Sequence, residues 1–240
     1  LYSSAAADVY KRQSLQGKTI VNLFFENSTR TRISFELAQK RLSADTVNFS
    51  ASSSSLKKGE SFKDTVQNIE AMKIDAVVMR HPSPGSAKHL TKYINSIVIN
   101  AGDGAHEHPT QAILDMTSLK ERFGKIEDLK IGIIGDIAHS RVARSNIYGL
   151  IKMGAKIMVC GPPTLIPTDI MRLGVKVSHN IDEVLDWADA IIVLRIQLER
   201  MDRGLIPSVR EYRKLFGITN ERLQKHHKEI CLLYTSDAAD

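Results

Sequence analysis

Short apolar runs alternate along the chain with stretches in which apolar residues recur at helical spacing. The apolar runs predict strands at Thr19–Phe25, Thr46–Phe49, Asp75–Arg80, Ser96–Asn100, Lys130–Gly135, Lys156–Cys160, Val175–Val177 and Ala190–Leu194. The helical spacing predicts helices at Ser34–Leu42, Phe62–Met72, Pro109–Phe123, Arg141–Met153, Thr168–Arg172 and Ile181–Ala188. This alternation indicates an α/β fold of two domains, each a mainly parallel sheet flanked by helices.

The boundary between the domains is predicted near Pro109, which begins a helix after the sequence Gly102-Asp103-Gly104. Both ends of the chain lack any periodic pattern, and we treat them as a non-native leader and tail. The predicted organisation is a leader at 1–13, a first domain at 14–108, an interdomain helix at 109–123, a second domain at 124–230 and a tail at 231–240.

A polar cluster, Ser28-Thr29-Arg30-Thr31-Arg32, follows the first predicted strand and precedes a helix. The start of a helix offers unpaired backbone N–H groups and the positive end of the helix dipole, which together suit an anion. The alternative is an ordinary N-cap, which needs one hydroxyl and no arginine. Because three hydroxyls and two guanidinium groups lie together here, we favour a phosphate or carboxylate site.

Further polar clusters follow other strands, where ligands bind in an open α/β sheet. They are Arg80-His81-Pro82, His106 to Gln111, Gly135-Asp136 with the segment to Arg141, and Arg195 to Arg200. His106 and His108 could indicate a metal site, but they lack helical i, i+4 spacing and further ligands. The turn after Gly135 could indicate a dinucleotide, but it lacks the spacing of the glycine-rich fingerprint.

Composition narrows the function classes. The net charge of +6 comes from scattered lysines and arginines rather than from the concentrated basic stripe of a nucleic-acid binder. No stretch approaches the roughly 20 apolar residues of a membrane helix. Cys160 and Cys231 show no metal spacing, and we interpret Cys160 as a core residue. This use of cysteine is typical of the reducing cytoplasm, so we expect a cytoplasmic protein that binds neither nucleic acid nor membranes.

The clusters together resemble the carbamoyltransferase family from about Ser14 to Ile230. The matching motifs are Ser28-Thr29-Arg30-Thr31-Arg32 with Ser34-Phe35-Glu36, Arg80-His81-Pro82, and His108-Pro109-Thr110-Gln111. Lys58-Gly59-Glu60-Ser61 and Arg195-x-Gln197-x-Glu199-Arg200 are similar to the branch that uses aspartate rather than ornithine.

The resemblance implies transfer of the carbamoyl group of carbamoyl phosphate to the amine of L-aspartate, in de novo pyrimidine biosynthesis. It implies that Arg30, Thr31, Arg80 and His108 are catalytic, and that Ser28, Thr29, Arg30, Thr31, Arg80, His108 and Gln111 bind carbamoyl phosphate. It assigns aspartate to Lys58, Arg141, Arg195 and Gln197. It requires neither a metal nor an organic cofactor.

The resemblance also implies a homotrimer with shared active sites. Lys58 and a serine, for which Ser55 is the better match and Ser54 the alternative, would reach the neighbouring subunit's site. The sequence leaves open whether regulatory chains bind the trimer.

The sequence disfavours three alternative functions. A non-catalytic homologue should have lost Arg30, Arg80, His108 or Arg195, and all four are present. An ornithine enzyme is disfavoured by the Arg195-x-Gln197 segment. An unrelated dinucleotide-binding module is disfavoured by the missing glycine pattern.

Family members carry a helix ahead of the segment that corresponds to Leu15-Gln16-Gly17-Lys18, and further chain beyond the equivalent of Ile230. We therefore expect the 240-residue chain on its own to fold poorly or to lack activity. Denaturant unfolding and a turnover assay check this expectation, and a cooperative transition together with normal turnover would contradict it.

Overall fold

The computed structural model describes residues 12–26, 28–50, 61–196, 208–226 and 229–234. The chain divides into two compact units between His106 and Glu107. Each unit is built around one parallel sheet.

The first unit contains four parallel strands in the order β2-β1-β3-β4. Its elements are β1 (Thr19–Phe24), α1 (Thr29–Arg41), β2 (Asp45–Ser50), α2 (Phe62–Glu70), β3 (Ala76–His81), α3 (Ser86–Leu90) and β4 (Ile97–Asp103). Alternate residues of β1 face opposite sides: Val21 and Leu23 pack with Val66 and Ile69 of α2, whereas Ile20 and Phe24 belong to a separate cluster. Helices therefore cover both faces of this sheet.

Helix α1 is fixed to the sheet by a buried pair of amide side chains. Asn22 of β1 donates from Nδ2 to Gln39 Oε1 at 3.0 Å, and Gln39 Nε2 donates back to Asn22 Oδ1 at 2.8 Å. Both residues are buried, so each amide satisfies the other away from water. This reciprocal pair holds the helix whose first turn carries the polar cluster.

The second unit contains five parallel strands in the order β7-β6-β5-β8-β9. Its strands are β5 (Lys130–Ile134), β6 (Lys156–Cys160), β7 (Lys176–Ser178), β8 (Ala190–Val193) and β9 (Cys231–Tyr234). Its helices are α4 (Pro109–Phe123), α5 (Arg141–Lys152), α6 (Ile181–Trp187), α7 (Val209–Phe216) and α8 (Asn220–Lys225), with 3₁₀ turns at Pro163–Leu165 and Ile170–Leu173.

The sheet of the second unit is also covered on both sides. Ile131 and Ile133 of β5 pack in one cluster with Leu119 of α4 and with Ile147 and Leu150 of α5. A second cluster joins Ile134 to α6 and α7. Residue Cys160 is fully buried, and burial raises the pKa of its thiol to about 12. It is therefore a core residue, as its apolar setting predicts.

The predicted α/β architecture is confirmed, and the helix predicted at Pro109–Phe123 has those bounds. Two predicted helices differ from the structure. Helix α1 begins at Thr29, five residues before the predicted start at Ser34. The prediction missed the first turn because its polar, partly exposed residues give no apolar periodicity. The helix predicted at Thr168–Arg172 is a 3₁₀ turn at Ile170–Leu173.

The elements that the sequence did not predict are α3, α7, α8 and β9. Helix α3 is five residues long, too short for a periodic pattern to emerge. Strand β9 lies in the segment that was set aside as a tail, and it pairs with β8 in parallel from Ala190↔Cys231 to Val193↔Tyr234.

Among the described residues, no helix is long and apolar enough to cross a membrane.

Histidine 226, next to the end of α8, links that helix to α6. Its Nδ1 lies 2.6 Å from Asp186 Oδ1, and its Nε2 lies 3.3 Å from Asp182 Oδ1. The hydrogen bond to Asp186, helped by the one to Asp182, raises the pKa of His226 above its ordinary 6.5, although partial burial opposes this.

We predict that His226 contributes stability in its protonated form. The contribution is fully present below the unfolded pKa and is lost as the pH rises through the raised folded pKa. It should amount to about 0.5–1 kcal/mol, because both carboxylates are exposed and the interaction is screened. The measurement is the difference in unfolding free energy between the wild type and His226→Gln, from about pH 6 to about pH 9. A difference that does not change with pH would contradict this prediction.

Candidate active site

The polar cluster and Arg80 meet at one edge of the first sheet. Phe24, the last residue of β1, pairs in register with Arg80 of β3, and Phe25 N–H donates to the Arg80 carbonyl at 2.9 Å. Both strands run in the same direction, so the segment that follows β1 and the side chain of Arg80 lie at the same carboxyl edge. This is the edge at which open α/β sheets bind ligands.

Ser28 occupies the N-cap position of α1 but does not cap the helix with its hydroxyl. The residue is 7% exposed, and its buried Oγ has no hydrogen-bond partner among the described residues. Thr29, Arg30 and Thr31 form the first turn, which contains no acidic residue. The helix start therefore combines a positive dipole end, a guanidinium group and an unused hydroxyl, the features of an anion site.

Arg80 is buried and held by side chains that follow β1. Its Nε donates to Glu26 Oε1 at 2.7 Å, and one terminal nitrogen donates to Thr31 Oγ1 at 3.0 Å. The Arg80 side chain is only 5% exposed, whereas Glu26 is 23% exposed. A buried guanidinium group must be paired, so Glu26 and Thr31 together fix its orientation.

His108 lies at the start of α4 in the second unit. It is 3% exposed, and its backbone N–H donates to Ser145 Oγ of α5 at 2.9 Å. The Thr110 hydroxyl lies 3.3 Å from His108 Nδ1. Pro109 occupies the first helical turn, where its missing N–H costs no hydrogen bond.

One turn further along α4, Gln111 belongs to a buried polar network. Its Nε2 donates to Asp115 Oδ1 at 2.9 Å, and Asn146 Nδ2 of α5 donates to Asp115 Oδ2 at 2.7 Å. Burial raises the pKa of Asp115 above its ordinary value, while the hydrogen bonds from Asn146 and Gln111 act in the opposite direction.

The edge of the second sheet carries Asp136, Arg141 and Arg195. Asp136 is fully buried, and its Oδ1 lies 2.9 Å from His139 Nδ1. Arg141 begins α5 and is 1% exposed, whereas Arg195, just beyond β8, is partly exposed. Arg195 is therefore the more accessible of the two arginines.

Gly135 allows the chain after β5 to approach β8 closely. Its φ is +132°, and a Cβ at this position would lie 2.8 Å from the Leu194 carbonyl oxygen. A larger residue would therefore push apart the segments that lead to Asp136 and Arg195.

Four of the predicted site residues, Ser54, Ser55, Lys58 and Gln197, lie outside the described residues. Within the described ranges, no three His, Cys, Asp or Glu side chains are grouped so that they could hold a metal ion.

Comparison with known proteins identifies the family. Residues 2–121 match the aspartate/ornithine carbamoyltransferase carbamoyl-P binding domain, and residues 127–235 match the Asp/Orn binding domain of the same family. The chain belongs to the aspartate/ornithine carbamoyltransferase family.

Two relatives in this family carry the same name. The chain is 57% identical to the aspartate carbamoyltransferase catalytic subunit of Prosthecochloris aestuarii, over 93% of this chain and 72% of the relative. It is 54% identical to the catalytic subunit of the same name from Christiangramia forsetii, over 97% of this chain and 78% of the relative.

Solved structures are also similar to this carbamoyltransferase. Aspartate transcarbamoylase from Trypanosoma cruzi in complex with N-(phosphonacetyl)-L-aspartic acid has a TM-score of 0.85 at 30% identity, covering 97% of this chain and 76% of that one. The same enzyme with carbamoyl phosphate and aspartate has a TM-score of 0.84 at 29% identity, with coverages of 97% and 77%.

The sequence analysis did not identify the residues that hold the candidate site residues in place. Glu26 lies two residues before the polar cluster and was assigned no role, although it pairs with Arg80. Asp115 follows Gln111 by four residues on one helix, a spacing that could have predicted their contact. Nothing in the linear pattern identifies Ser145 or Asn146 as partners of α4.

We predict that Ser28→Ala weakens phosphate binding but leaves the stability of the fold nearly unchanged. Because the hydroxyl makes no capping bond, the free energy of unfolding should change by less than about 0.5 kcal/mol. The affinity for inorganic phosphate should fall about tenfold, the effect of one lost hydrogen bond to a charged ligand. Denaturant unfolding and calorimetric titration with phosphate measure the two effects.

The matched control is Ser61→Ala in the same unit. The Ser61 hydroxyl accepts the Asp64 backbone N–H in a capping box at the start of α2. Its loss should cost about 1 kcal/mol. An equal cost for Ser28→Ala would identify Ser28 as a cap and contradict the anion site.

Proposed function

We propose that the chain transfers the carbamoyl group of carbamoyl phosphate to the amine of L-aspartate, giving N-carbamoyl-L-aspartate and phosphate. The observation that supports this most is the start of α1, where the buried Ser28 hydroxyl lacks a partner among the described residues, beside the oriented guanidinium group of Arg80. Identities of 54–57% to proteins named aspartate carbamoyltransferase catalytic subunit support the acceptor.

The phosphate group of the substrate is assigned to the first turn of α1. Ser28 and Thr29 would donate hydroxyl hydrogens, Thr31 would contribute its backbone N–H, and Arg30 would bind the phosphate and the oxygen that leaves with it. Backbone N–H groups at a helix start point away from the helix and would add further donors. These groups stabilise the charge that grows on phosphate as it leaves.

The carbamoyl carbonyl is assigned to Arg80, Thr31 and His108. Thr31 accepts a hydrogen bond from Arg80, so its own O–H can donate to the substrate. We assign the proton of His108 to Nε2, and Nδ1 would then accept from the Thr110 hydroxyl, which lies 3.3 Å away. In that tautomer, Nε2 donates to the carbonyl oxygen as negative charge develops there.

The reaction needs no covalent enzyme intermediate. The aspartate nitrogen attacks the carbamoyl carbon, a C–N bond forms, the C–O bond to phosphate breaks, and the proton that the amine loses goes to the leaving phosphate. Gln111 would accept a hydrogen bond from the carbamoyl NH₂. Arg141, Arg195, Gln197 and Lys58 would bind the aspartate carboxylates, so that most of the rate comes from positioning and electrostatic stabilisation.

The shared-site homotrimer and the cytoplasmic location are part of this proposal. Ser55 and Lys58 of one subunit would complete the site of its neighbour, as the family resemblance implies. The location rests on the two free cysteines and their lack of metal spacing.

The acceptor is tested by carbamoyl transfer in the protein expressed from its complete reading frame, with aspartate and ornithine assayed side by side. We expect turnover with aspartate and at least about 100-fold less with ornithine. Ornithine lacks the second carboxylate of aspartate, so the side chains that would bind this carboxylate would have no partner in the ornithine complex. Turnover with ornithine alone would overturn the acceptor assignment.

Arg30→Ala tests the phosphate site in the same protein. Turnover should fall at least about 100-fold. This is the typical effect of removing one preorganised hydrogen-bond donor that stabilises the charge developing in the transition state. The matched control is Arg41→Ala, which removes the same side chain from the exposed last turn of α1 and should leave turnover unchanged. Equal turnover of the two variants would show that Arg30 has no catalytic role.

A further inference from the structure

A pocket of about 360 Å³ lies between α7 and α8 of the second unit, and the proposed reaction uses none of its residues. Its volume falls within the range of about 300–1,000 Å³ that is typical of small-molecule sites. The lining is strongly positive. It contains one carboxylate, that of Glu221, and five cationic side chains, which are those of Arg210, Arg213, Lys214, Arg222 and Lys225.

Arg222 and Gly217 determine how the two helices meet around this pocket. The Arg222 side chain donates from Nη1 to the Gly217 carbonyl oxygen at 2.8 Å, and its Nε lies 3.0 Å from Asp182 Oδ1 of α6. Gly217 directly follows α7, and a Cβ at this position would clash with the backbone carbonyl oxygen of Arg213. The pocket is therefore bounded by closely packed backbone as well as by side chains.

The positive charge of α7 lies on one side of the helix. Arg210, Arg213 and Lys214 are exposed and follow the i, i+3, i+4 spacing that places side chains on the same helix face. Within the described ranges, none of the three forms a salt bridge. Like charges at this spacing repel one another, so an anion bound between them would stabilise the helix.

The cations of α8 differ in how strongly they are neutralised. Arg222 is paired with Asp182, as its distance to that carboxylate shows. Lys225 lies 3.2 Å from Glu221, but both side chains are at least 70% exposed. Such a surface ion pair is weak, so Lys225 remains able to bind an external anion. The pocket thus offers cations from both of its helices.

We propose that this pocket binds a small molecule that carries several adjacent phosphate groups. Guanidinium groups bind phosphate oxygens through paired N–H donors, and arginine supplies most of the positive charge here. Several cations favour a ligand with several negative charges over a single phosphate. A nucleotide base is not favoured, because none of the described lining side chains is aromatic and could stack on it.

This site lies in the second unit, whereas the proposed phosphate site begins α1 in the first unit, so the proposal does not depend on the proposed function. The experiment uses the protein expressed from its complete reading frame with Arg30→Ala, which disables the site at α1. The probe is inorganic tripolyphosphate, titrated calorimetrically at constant ionic strength because salt screens exposed charges.

Arg213→Gln in this background removes one guanidinium group of the pocket. The matched control is Arg172→Gln, which removes a guanidinium group that is 82% exposed in the same unit but lies outside the pocket. We expect the first change to weaken tripolyphosphate about tenfold, the effect of a lost hydrogen bond to a charged group, and the second less than about twofold. Equal weakening by both changes would indicate general attraction by surface charge and overturn the proposal. No weakening by Arg213→Gln, or no binding at all, would also overturn it.

Acetylation of lysines locates the ligand without any change in the pocket. At a tripolyphosphate concentration about ten times its dissociation constant, about nine-tenths of the pocket would be filled, so the acetylation rate of Lys214 should fall about tenfold. Lys88, an exposed lysine of the first unit, should react at an unchanged rate. Mass spectrometry of the modified peptides measures both rates. An equal effect on the two lysines, or no protection of Lys214, would overturn the proposal even if Arg213→Gln does not fold.

Discussion

The first unit depends on the burial of one positive charge at the edge of its sheet. The guanidinium group of Arg80 is almost inaccessible to water, and such a group is tolerated only when its donors are paired. Glu26, in the segment that joins β1 to α1, and Thr31, in the first turn of α1, supply partners. This side chain therefore links the register of β1 with β3 to the turn after β1 and to the position at which α1 begins.

The second unit contains a buried acidic residue, Asp115 of α4. Its two carboxyl oxygens accept hydrogen bonds from the side-chain amides of Gln111 and Asn146. The buried group of each unit contacts a residue that is proposed to bind the substrate, Thr31 in the first unit and Gln111 in the second. This arrangement suits a reaction whose rate comes from positioned donors and acceptors rather than from a covalent intermediate.

The sequence predicted the parts of the structure that have a strong local signal. The strands around Ile131 and Ile191 and the helix from Pro109 to Phe123 have continuous apolar runs or clear helical spacing, and they appear close to their predicted bounds. The strand-end placement of the polar clusters also followed from the alternation of strands and helices. The family resemblance then named chemical roles that periodicity alone could not supply.

The features that the sequence did not predict depend on contacts between distant segments. The start of α1 was predicted five residues too late because its exposed first turn has no apolar periodicity. Strand β9 is recognisable only by its pairing with β8. The Glu26–Arg80 pair spans 54 positions, and the Asn146–Asp115 pair spans 31. Such pairs are set by strand order and helix packing, neither of which has a local signature.

The central claim is that the start of α1 is the phosphate half of a carbamoyl phosphate site. The most direct test is a crystal structure of the protein with carbamoyl phosphate bound. The account predicts a phosphate oxygen within about 3 Å of Ser28 Oγ and of backbone N–H groups in the first turn, the distance of a charge-assisted hydrogen bond. A phosphate bound elsewhere, with the Ser28 hydroxyl turned back to cap the helix, would contradict it.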